Sequence, residues 1–495
     1  MRSRQPSSRP TRAQLVAPLL AMALLAAACS SSGSSDAGKP GTGDTVALAP
    51  CPVHALDSVT QPVEIKLWHF LSGNTGSTLK ALADTYNASQ SKVKVDVEAQ
   101  GTSNDELFKK YQAGMASKDL PAIAVMDDTV TQQVIDSKTV IPATSCIEAD
   151  HYDMSEFLKS GMDYYTVNGV LWPASINLSG ALLYYNKGHF QQAGLDPNQT
   201  PKTLDEVREY AQKIKDAHIS GVDHPIALKV NSPLIEMWLT GAGAPVVNND
   251  NGRGTGTTDS AAFDNDTTRN LYQWIQSMSA DGLLDVIPDT PNQVGQYGAM
   301  ATGHASMTIE TSTAAPTVQA FLKGNLDTST VGGDLGTIDP NSLILGAGPV
   351  PGIDLPGRLQ MGGGAWYITD SGTPEQQAAA WDFMKFFNSL ESQVTWNIDG
   401  GYLPYRTTAT KDPRVVASWT TTLSGQWLAI AYDELLNGVD PNFPGPLMGP
   451  YDQFRTAIRN SIESMVFKGS SPESVITEAA DETTKALEQY NSGGF

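Results

Sequence analysis

The chain has 495 residues, enough for two or three folding units at about 150 residues each, so a small disulfide-stapled scaffold is excluded. With 17% charged residues, 44 Gly and 30 Pro, the composition is that of a globular protein rich in turns. A formal charge of −21 disfavours nucleic-acid binding, because an acidic surface repels phosphate backbones.

The first 28 residues predict an export signal. A basic stretch precedes an apolar run over residues 15–28, which suits a signal peptide and falls short of the ~20 residues that span a bilayer. The run ends in a pattern that resembles a bacterial lipobox, so we expect Cys29 to be lipidated. An ordinary signal peptide with a chance cysteine is the alternative. Residues 29–59 are rich in Ser and Gly near their start and predict a flexible tether.

Two further cysteines, Cys51 and Cys146, lie in the part that follows. Because an exported chain lies in an oxidising compartment, we predict a disulfide between them. Two unpaired buried thiols are the alternative, and they would affect stability only.

Strands and helices are predicted to alternate after the tether. The apolar residues alternate over 63–67 and 93–97, and a short apolar run covers 121–126. Helical spacing of apolar residues separates these strands over 79–86 and 107–115. This order is typical of a parallel sheet covered by helices.

Several polar and aromatic residues follow these strands directly. Because ligands bind beyond the carboxyl ends of parallel strands, we expect Trp68, Ser103 and Asp128 along one binding edge. Ser103 also begins a capping box. For Asp127, a helix N-cap is the favoured interpretation, whereas Asp128 is expected to contact ligand.

The rest of the chain predicts a second mixed region. A capping box at Thr203 opens one helix, and another helix is expected over 266–278. A strand ends at Glu310, and the chain from Pro374 onward is mostly amphipathic helix. The sequence has no HExxH, no Cys/His cluster, no GxSxG and no phosphate-binding GxxxxGK[ST] motif, so we expect neither a metal, nor a cofactor, nor catalysis.

Four segments in order resemble the extracellular solute-binding proteins of ABC importers, specifically the carbohydrate and glycerol-3-phosphate binders, and are most similar to the glycerol-3-phosphate branch. They are LWHFLSG at 67–73, PASINLSGALLYYNK at 173–187 with AGLDPNQTPKTLDEV at 193–207, GHASMTIETS at 303–312, and the stretch from Gly362 to Arg406 that contains GGGAWYITDSG and GGYLPYR.

The resemblance implies two α/β lobes, each a mostly parallel sheet flanked by helices, joined by hinge strands and closing on a ligand. The expected boundaries are 60–172 with 313–360 for lobe 1, 180–305 with 367–495 for lobe 2, and crossings near 172–179, 306–313 and 360–366.

The resemblance also implies a set of ligand-binding positions. Carried over residue by residue, they fall on Ser103, Asp128, Ser179, Ser312, Gly363 and Tyr402. Four neighbours in sequence are expected to extend the wall of the site, with an ordinary core role as the alternative for the aromatic ones: Trp172, Asn177, Trp238 and Trp366.

Two departures from the glycerol-3-phosphate branch bear on the ligand. Ser103 stands where that branch carries a tyrosine, and Leu447 stands where it carries an arginine that grips phosphate. Arg455 lies too far along the chain to replace that arginine without a change of register. A site without a fixed guanidinium loses bidentate phosphate recognition, so a neutral saccharide is favoured over glycerol 3-phosphate or a glycerophosphodiester.

The predicted function is therefore that of a monomeric binding protein, tied to the outer face of a bacterial membrane by its lipid alone. It would capture a carbohydrate or related polyol and deliver it to an ABC permease. A secreted glycan-active enzyme is the alternative from another class. In that case Asp128 and Glu310 would form a carboxylate pair ~5–9.5 Å apart across the cleft.

Overall fold

The computed structural model describes residues 48–493 except 102, 118, 289–294, 324–342, 356–359 and 361. The predicted signal segment, Cys29 and most of the tether lie outside the described residues. Within the described ranges, we find no helix with both the length and the apolar character that a membrane crossing requires.

The strands are short and are distributed along the whole described chain. They are β1 (Val63–His69), β2 (Val93–Ala99), β3 (Ile123–Asp127), β4 (Val140–Ile141), β5 (Thr166–Val167), β6 (Val170–Leu171), β7 (Ser175–Ile176), β8 (Ala181–Asn186), β9 (His224–Lys229), β10 (Leu284–Ile287), β11 (Ala305–Thr311), β12 (Leu345–Pro349) and β13 (Gly364–Thr369).

Helices separate most of these strands and make up the C-terminal part. They are α1 (Gly73–Ser89), α2 (Asn104–Ser117), α3 (Thr131–Ser137), α4 (Ala143–Asp150), α5 (Lys159–Tyr165), α6 (Lys187–Gln192), α7 (Leu204–Asp216), α8 (Ser232–Gly241), α9 (Asn248–Gly252), α10 (Asp266–Ala280), α11 (Gly295–Ala301), α12 (Ala315–Leu322), α13 (Pro374–Phe387), α14 (Leu390–Ile398), α15 (Pro413–Thr421), α16 (Leu423–Asn437), α17 (Tyr451–Lys468) and α18 (Pro472–Asn491).

The first sheet has the strand order β2-β1-β3-β13-β4, and β7 pairs with β13 as well. β1 runs parallel to β2 and β3, whereas β13 is antiparallel to β3, β4 and β7. Residues 123–126 of β3 are all buried, as expected for a strand that is covered on both faces. The predicted strands over 63–67, 93–97 and 121–126 are thus confirmed, and they lie side by side.

The second sheet has the order β10-β9-β11-β8-β12. β9 is parallel to β10 and β11, and β8 is antiparallel to β11 and β12. Helix α7 begins as predicted, because the hydroxyl of Thr203 accepts a hydrogen bond from the Glu206 amide at 3.3 Å. Within the described residues, each sheet has its own hydrophobic core.

The chain passes between the two sheets at positions close to the expected crossings. Ser179 and Gly362 exchange backbone hydrogen bonds of 3.0 and 3.3 Å, and the Ser312 amide donates to the Gly180 carbonyl at 2.7 Å. The crossing segments are therefore bonded to one another, as a hinge requires if a few residues are to absorb the rotation.

The grouping of segments around these crossings differs from the expected one. β12 pairs with β8 in the second sheet, although 313–360 was expected in the first lobe. β13 pairs with β3 in the first sheet, and α13 contacts β1 there, although 367–495 was expected in the second lobe. The reason is that the chain returns to the second sheet at β12 before it crosses at 360–364.

Cys51 and Cys146 form a disulfide, which links the segment before β1 to α4. The two cysteines are 95 residues apart in sequence. Closing a loop of this length restricts the unfolded chain and stabilises the fold by on the order of 4 kcal/mol.

Candidate functional site

A cavity of about 260 Å³ is lined by residues of both sheets and of the crossing strands between them. Its walls include the carboxyl end of β3 in the first sheet and the carboxyl ends of β9 and β11 in the second. This is the position at which α/β sheets bind ligands. Three of the residues expected to bind ligand, Asp128, Ser179 and Gly363, lie in the cavity wall.

Two adjacent carboxyl groups stand where β3 ends. The carboxylate of Asp127 caps a short 3-10 helix over 128–130, accepting hydrogen bonds from the amide and hydroxyl of Thr129 at 3.3 and 2.8 Å. The N-cap role predicted for Asp127 is therefore confirmed. Asp128 is 6% exposed, and its amide donates to the Gly363 carbonyl at 3.2 Å.

The pKa values of the two carboxyl groups are shifted in opposite directions. Burial and the neighbouring charge of Asp127 raise the pKa of Asp128 well above its usual value. Burial opposes ionisation of Asp127, but Arg455, Asp128 and Thr129 together lower its pKa. Ionisation is therefore favoured at Asp127 over Asp128.

The crossing strands form the base of the cavity through their backbone. Gly363 has a φ of +130°, and a Cβ atom there would lie 1.8 Å from the Asn177 carbonyl oxygen. No residue other than glycine fits this approach. Ser179 lies beside it, paired with Gly362. The polar groups of the base are therefore fixed by strand pairing.

The second sheet contributes charged and polar groups to the opposite wall. Lys229 ends β9, Asn231 follows it, and Glu310 lies next to the end of β11. The carboxylate of Glu310 accepts hydrogen bonds from Gln296 Nε2 at 2.7 Å and from the Thr311 amide at 3.1 Å. This wall therefore offers both a cation and a carboxylate.

Arg455 also lines the cavity, so the expectation of a site without a nearby guanidinium was wrong. α17 places it there, because this helix packs against α8 with the side chain directed toward Glu236. Arg455 Nε and Nη2 donate to Glu236 Oε1 and Oε2 at 3.0 and 3.1 Å, and Nη1 lies 3.5 Å from Asp127 Oδ1. Although burial lowers it, the charges of Glu236 and Asp127 raise the pKa of Arg455 well above its usual value. Leu447 itself is buried.

Three other expected ligand positions lie outside the described wall of the cavity. Ser103 accepts a hydrogen bond from the Glu106 amide at 3.3 Å and caps α2. Ser312 is fully buried, and its hydroxyl accepts from the Gly180 amide at 3.3 Å. Tyr402 stacks on Trp396 with ring centres 5.4 Å apart. Burial and then the charges of Asp127 and Asp128 raise the pKa of Tyr402.

Among the described residues that line the cavity, none is one of the tryptophans expected in its wall. Trp366 is 0% exposed and packs against Phe387 in the core of the first sheet. Trp238 is 1% exposed and donates to the Pro351 carbonyl in the core of the second. Trp68 is buried and donates to Glu98 Oε2 at 2.9 Å.

Two more of the expected neighbours lie at the first crossing. The amide oxygen of Asn177 accepts hydrogen bonds from the indoles of Trp366 at 2.9 Å and Trp396 at 3.1 Å. Trp172 is partly buried, and its indole nitrogen has no partner among the described residues. These side chains position the crossing strand.

The sequence analysis missed several cavity residues. Lys229 and Asn231 follow a buried strand, so the rule that identified Asp128 also applies to them. Glu236 is a single carboxylate within the apolar stretch PLIEMWL, which is a signal for a buried charge with a partner. For Arg455 the sequence carries no comparable signal. In the described part of the chain, no cluster of three or more His, Cys, Asp or Glu side chains is arranged to hold a metal.

Comparison with known proteins gives consistent results along the chain. Residues 81–422 match a family model described as bacterial extracellular solute-binding protein. The sn-glycerol-3-phosphate-binding periplasmic protein UgpB of Pectobacterium atrosepticum is 26% identical over 463 residues, which cover 89% of this chain and 96% of that protein. UgpB of Salmonella typhimurium is 24% identical over 438 residues, covering 86% and 93% respectively.

Solved structures share the fold at low sequence identity. The cyclic α-maltosyl-1,6-maltose binding protein of Arthrobacter globiformis has a TM-score of 0.67 at 22% identity and covers 86% of this chain and 100% of its own. UgpB of Mycobacterium tuberculosis, solved with glycerophosphocholine, has a TM-score of 0.66 at 18% identity, covering 87% and 99%. The predicted two-lobe α/β fold is confirmed, but the expectation of mostly parallel sheets was wrong, because β13 and β8 each run antiparallel to their neighbours and both sheets are mixed. Because the family model spans more than half of the sequence, the chain belongs to the bacterial extracellular solute-binding protein family.

Proposed function

We propose that this protein is the lipid-anchored solute receptor of an ABC importer and that it captures a small, uncharged carbohydrate or related polyol. The cavity between the two sheets would hold the solute, and the closed complex would deliver it to the permease. The observation that carries this proposal is the geometry of the cavity wall, where the Arg455 guanidinium is already paired with Glu236 and lies 3.5 Å from Asp127.

The charge balance of the wall supports an uncharged solute. The wall contains four carboxyl groups, Asp127, Asp128, Glu236 and Glu310, and two basic groups, Lys229 and Arg455. A phosphate would meet more negative than positive charge. A neutral hydroxyl-rich molecule can instead donate to the carboxyl groups of the wall and accept from the Ser179 hydroxyl.

The size of the cavity supports a short ligand. Its volume of about 260 Å³ is slightly below the ~300–1,000 Å³ usual for small-molecule sites. A mono- or disaccharide suits this space better than a long oligosaccharide. Solved structures with this fold include proteins described as bound to tagatose or mannobiose.

Closure around the solute is part of the proposal. Hydrogen bonds also join distant parts of the chain outside the cavity lining, since Arg253 Nη1 donates to the Tyr164 carbonyl at 3.0 Å and the Tyr490 hydroxyl to Asp136 Oδ2 at 2.8 Å. Release of the solute would require such contacts to open. A ligand that contacts both walls would therefore shift the population toward the closed form.

Glycerol 3-phosphate or a glycerophosphodiester is the second candidate. The observations in its favour are the relatives named as glycerol-3-phosphate-binding proteins and the presence of Arg455 in the wall. The two candidates differ in whether the ligand carries a phosphate group, and one screen can separate them.

The screen is a thermal-shift measurement with mono-, di- and trisaccharides and with glycerol 3-phosphate and glycerophosphocholine. A ligand that binds only the folded protein raises the melting temperature, because at 100 times its Kd it stabilises the folded state by about 2.7 kcal/mol. We expect at least one saccharide to raise it and the phosphates not to. A shift by the phosphates alone would contradict the proposal. Release of a new product from any bound saccharide would instead indicate an enzyme.

A further inference from the structure

The guanidinium of Arg455 is held in the geometry that it would use for a phosphate. Two of its nitrogens donate in parallel to the two carboxylate oxygens of Glu236, at 3.0 and 3.1 Å. Arginine recognises phosphate by the same bidentate fork. An anion and Glu236 therefore compete for one set of donors.

Glu236 is fixed in place by its surroundings. It is 1% exposed, and the hydroxyl of Tyr451 donates to its Oε2 at 3.1 Å. Tyr451 lies one turn before Arg455 on α17, and the Arg455 guanidinium lies 5.3 Å from the centre of its ring. Displacing Glu236 from Arg455 would leave a buried carboxylate without its cation, which is strongly unfavourable.

We propose that Glu236 is a specificity-determining residue, which withholds Arg455 from anionic ligands and keeps the cavity selective for uncharged ones. The inference rests on the proposed function, because it places the solute in the same cavity. An approaching phosphate would have to replace Glu236 and meet Asp127, whose Oδ1 lies 3.5 Å from Arg455 Nη1. A hydroxyl group binds without displacing either carboxylate.

The direct test is Glu236→Gln, with inorganic phosphate and glycerol 3-phosphate as probes in calorimetric titrations. The amide keeps the shape of the side chain and removes its charge, so Arg455 keeps only Asp127 as a charged partner and its Nε and Nη2 lose their carboxylate. We expect the Kd for phosphate to fall at least tenfold relative to the wild type. An unchanged Kd in the variant, or a wild type that already binds phosphate equally tightly, would overturn the proposal.

Glu310→Gln is the matched control. It removes one carboxylate from the same cavity, but that carboxylate accepts hydrogen bonds from Gln296 and from the Thr311 amide. We expect no comparable gain in phosphate affinity. An equal gain in both variants would show that total cavity charge sets the selectivity and would contradict a specific role of Glu236.

A double variant and a stability readout keep the test decisive if Glu236→Gln folds poorly. Phosphate should raise the melting temperature of Glu236→Gln and should have no effect on Glu236→Gln combined with Arg455→Gln, which has neither charge. A rise in both variants would refute the proposal. Saccharide binding by the wild type is measured separately, so the proposed function can fail in that assay while the gain of phosphate binding still supports the role of Glu236.

Discussion

Replacing Asp128 by Asn should weaken binding of the cognate solute at least tenfold and leave the unliganded protein as stable as the wild type, or more stable, at pH 7. Asp128 lies in the cavity wall beside Asp127. The amide cannot reproduce the hydrogen bonds of the carboxyl group to the solute and to Asp127 at once, and each lost hydrogen bond costs roughly 0.5–1.5 kcal/mol. Calorimetric titration with the best saccharide of the screen measures the loss.

The stability of the same variant has a defined pH dependence. The pKa of Asp128 is raised in the folded protein above its ordinary value of 3.8, so the folded state binds more protons than the unfolded state. The favourable contribution of Asp128 to the free energy of unfolding is fully present below pH 3.8 and is lost as the pH rises through the pKa of the folded state. Asn does not titrate, so its stabilising effect should appear near neutral pH and vanish at acid pH.

Asp127→Asn is the control for this position. Its carboxylate caps the 3-10 helix and lies beside Arg455, and its pKa is lowered. The pH dependence of stability is therefore opposite in sign to that of Asp128, and Asp127→Asn should lose stability at neutral pH. A large loss of stability in Asp128→Asn without ligand would show that Asp128 has a structural role and would contradict the account.

Replacing Gly363 by Ala should lower the free energy of unfolding by roughly 3 kcal/mol or more. The residue has a φ of +130°, and the new methyl group would lie 1.8 Å from the backbone oxygen of Asn177. The crossing strands would have to separate, so solute binding should fall as well. Denaturant unfolding and a binding titration measure the two effects.

Gly362→Ala is the matched neighbour. Among the described residues, a Cβ at Gly362 would contact Ser179 alone, with its Oγ nearest at 3.7 Å, which is ordinary contact. We expect a change in stability of less than about 1 kcal/mol. Equal losses in the two alanine variants would show that the close approach at Gly363 is not what fixes the hinge.

Much of the first sheet could be predicted because its strands carry strong local signals. The alternation over 63–67 and the apolar run over 121–126 identify β1 and β3, and strand ends point to Asp128. The crossings were expected from the resemblance, but the assignment of β12 to the second sheet and of β13 to the first was not predicted. Antiparallel pairing of β13 with β3 depends on long-range register, which no local pattern contains.

The cavity could be predicted only where strand ends form it. Trp238 and Trp366 were expected in the wall because an aromatic residue near a site looks the same in sequence whether it faces ligand or core. Both face the cores. Arg455 and Glu236 are 219 residues apart in sequence and lie on different helices, so only tertiary packing brings them together.

A crystal structure of the protein with the saccharide that gives the largest thermal shift tests the central claim most directly. The account predicts an intact sugar in the cavity, with hydroxyl groups within hydrogen-bond distance of Asp128 and Ser179 and with Arg455 still paired with Glu236. Density for the sugar elsewhere on the surface, a cleaved sugar, or an anion bound to Arg455 in place of Glu236 would contradict it.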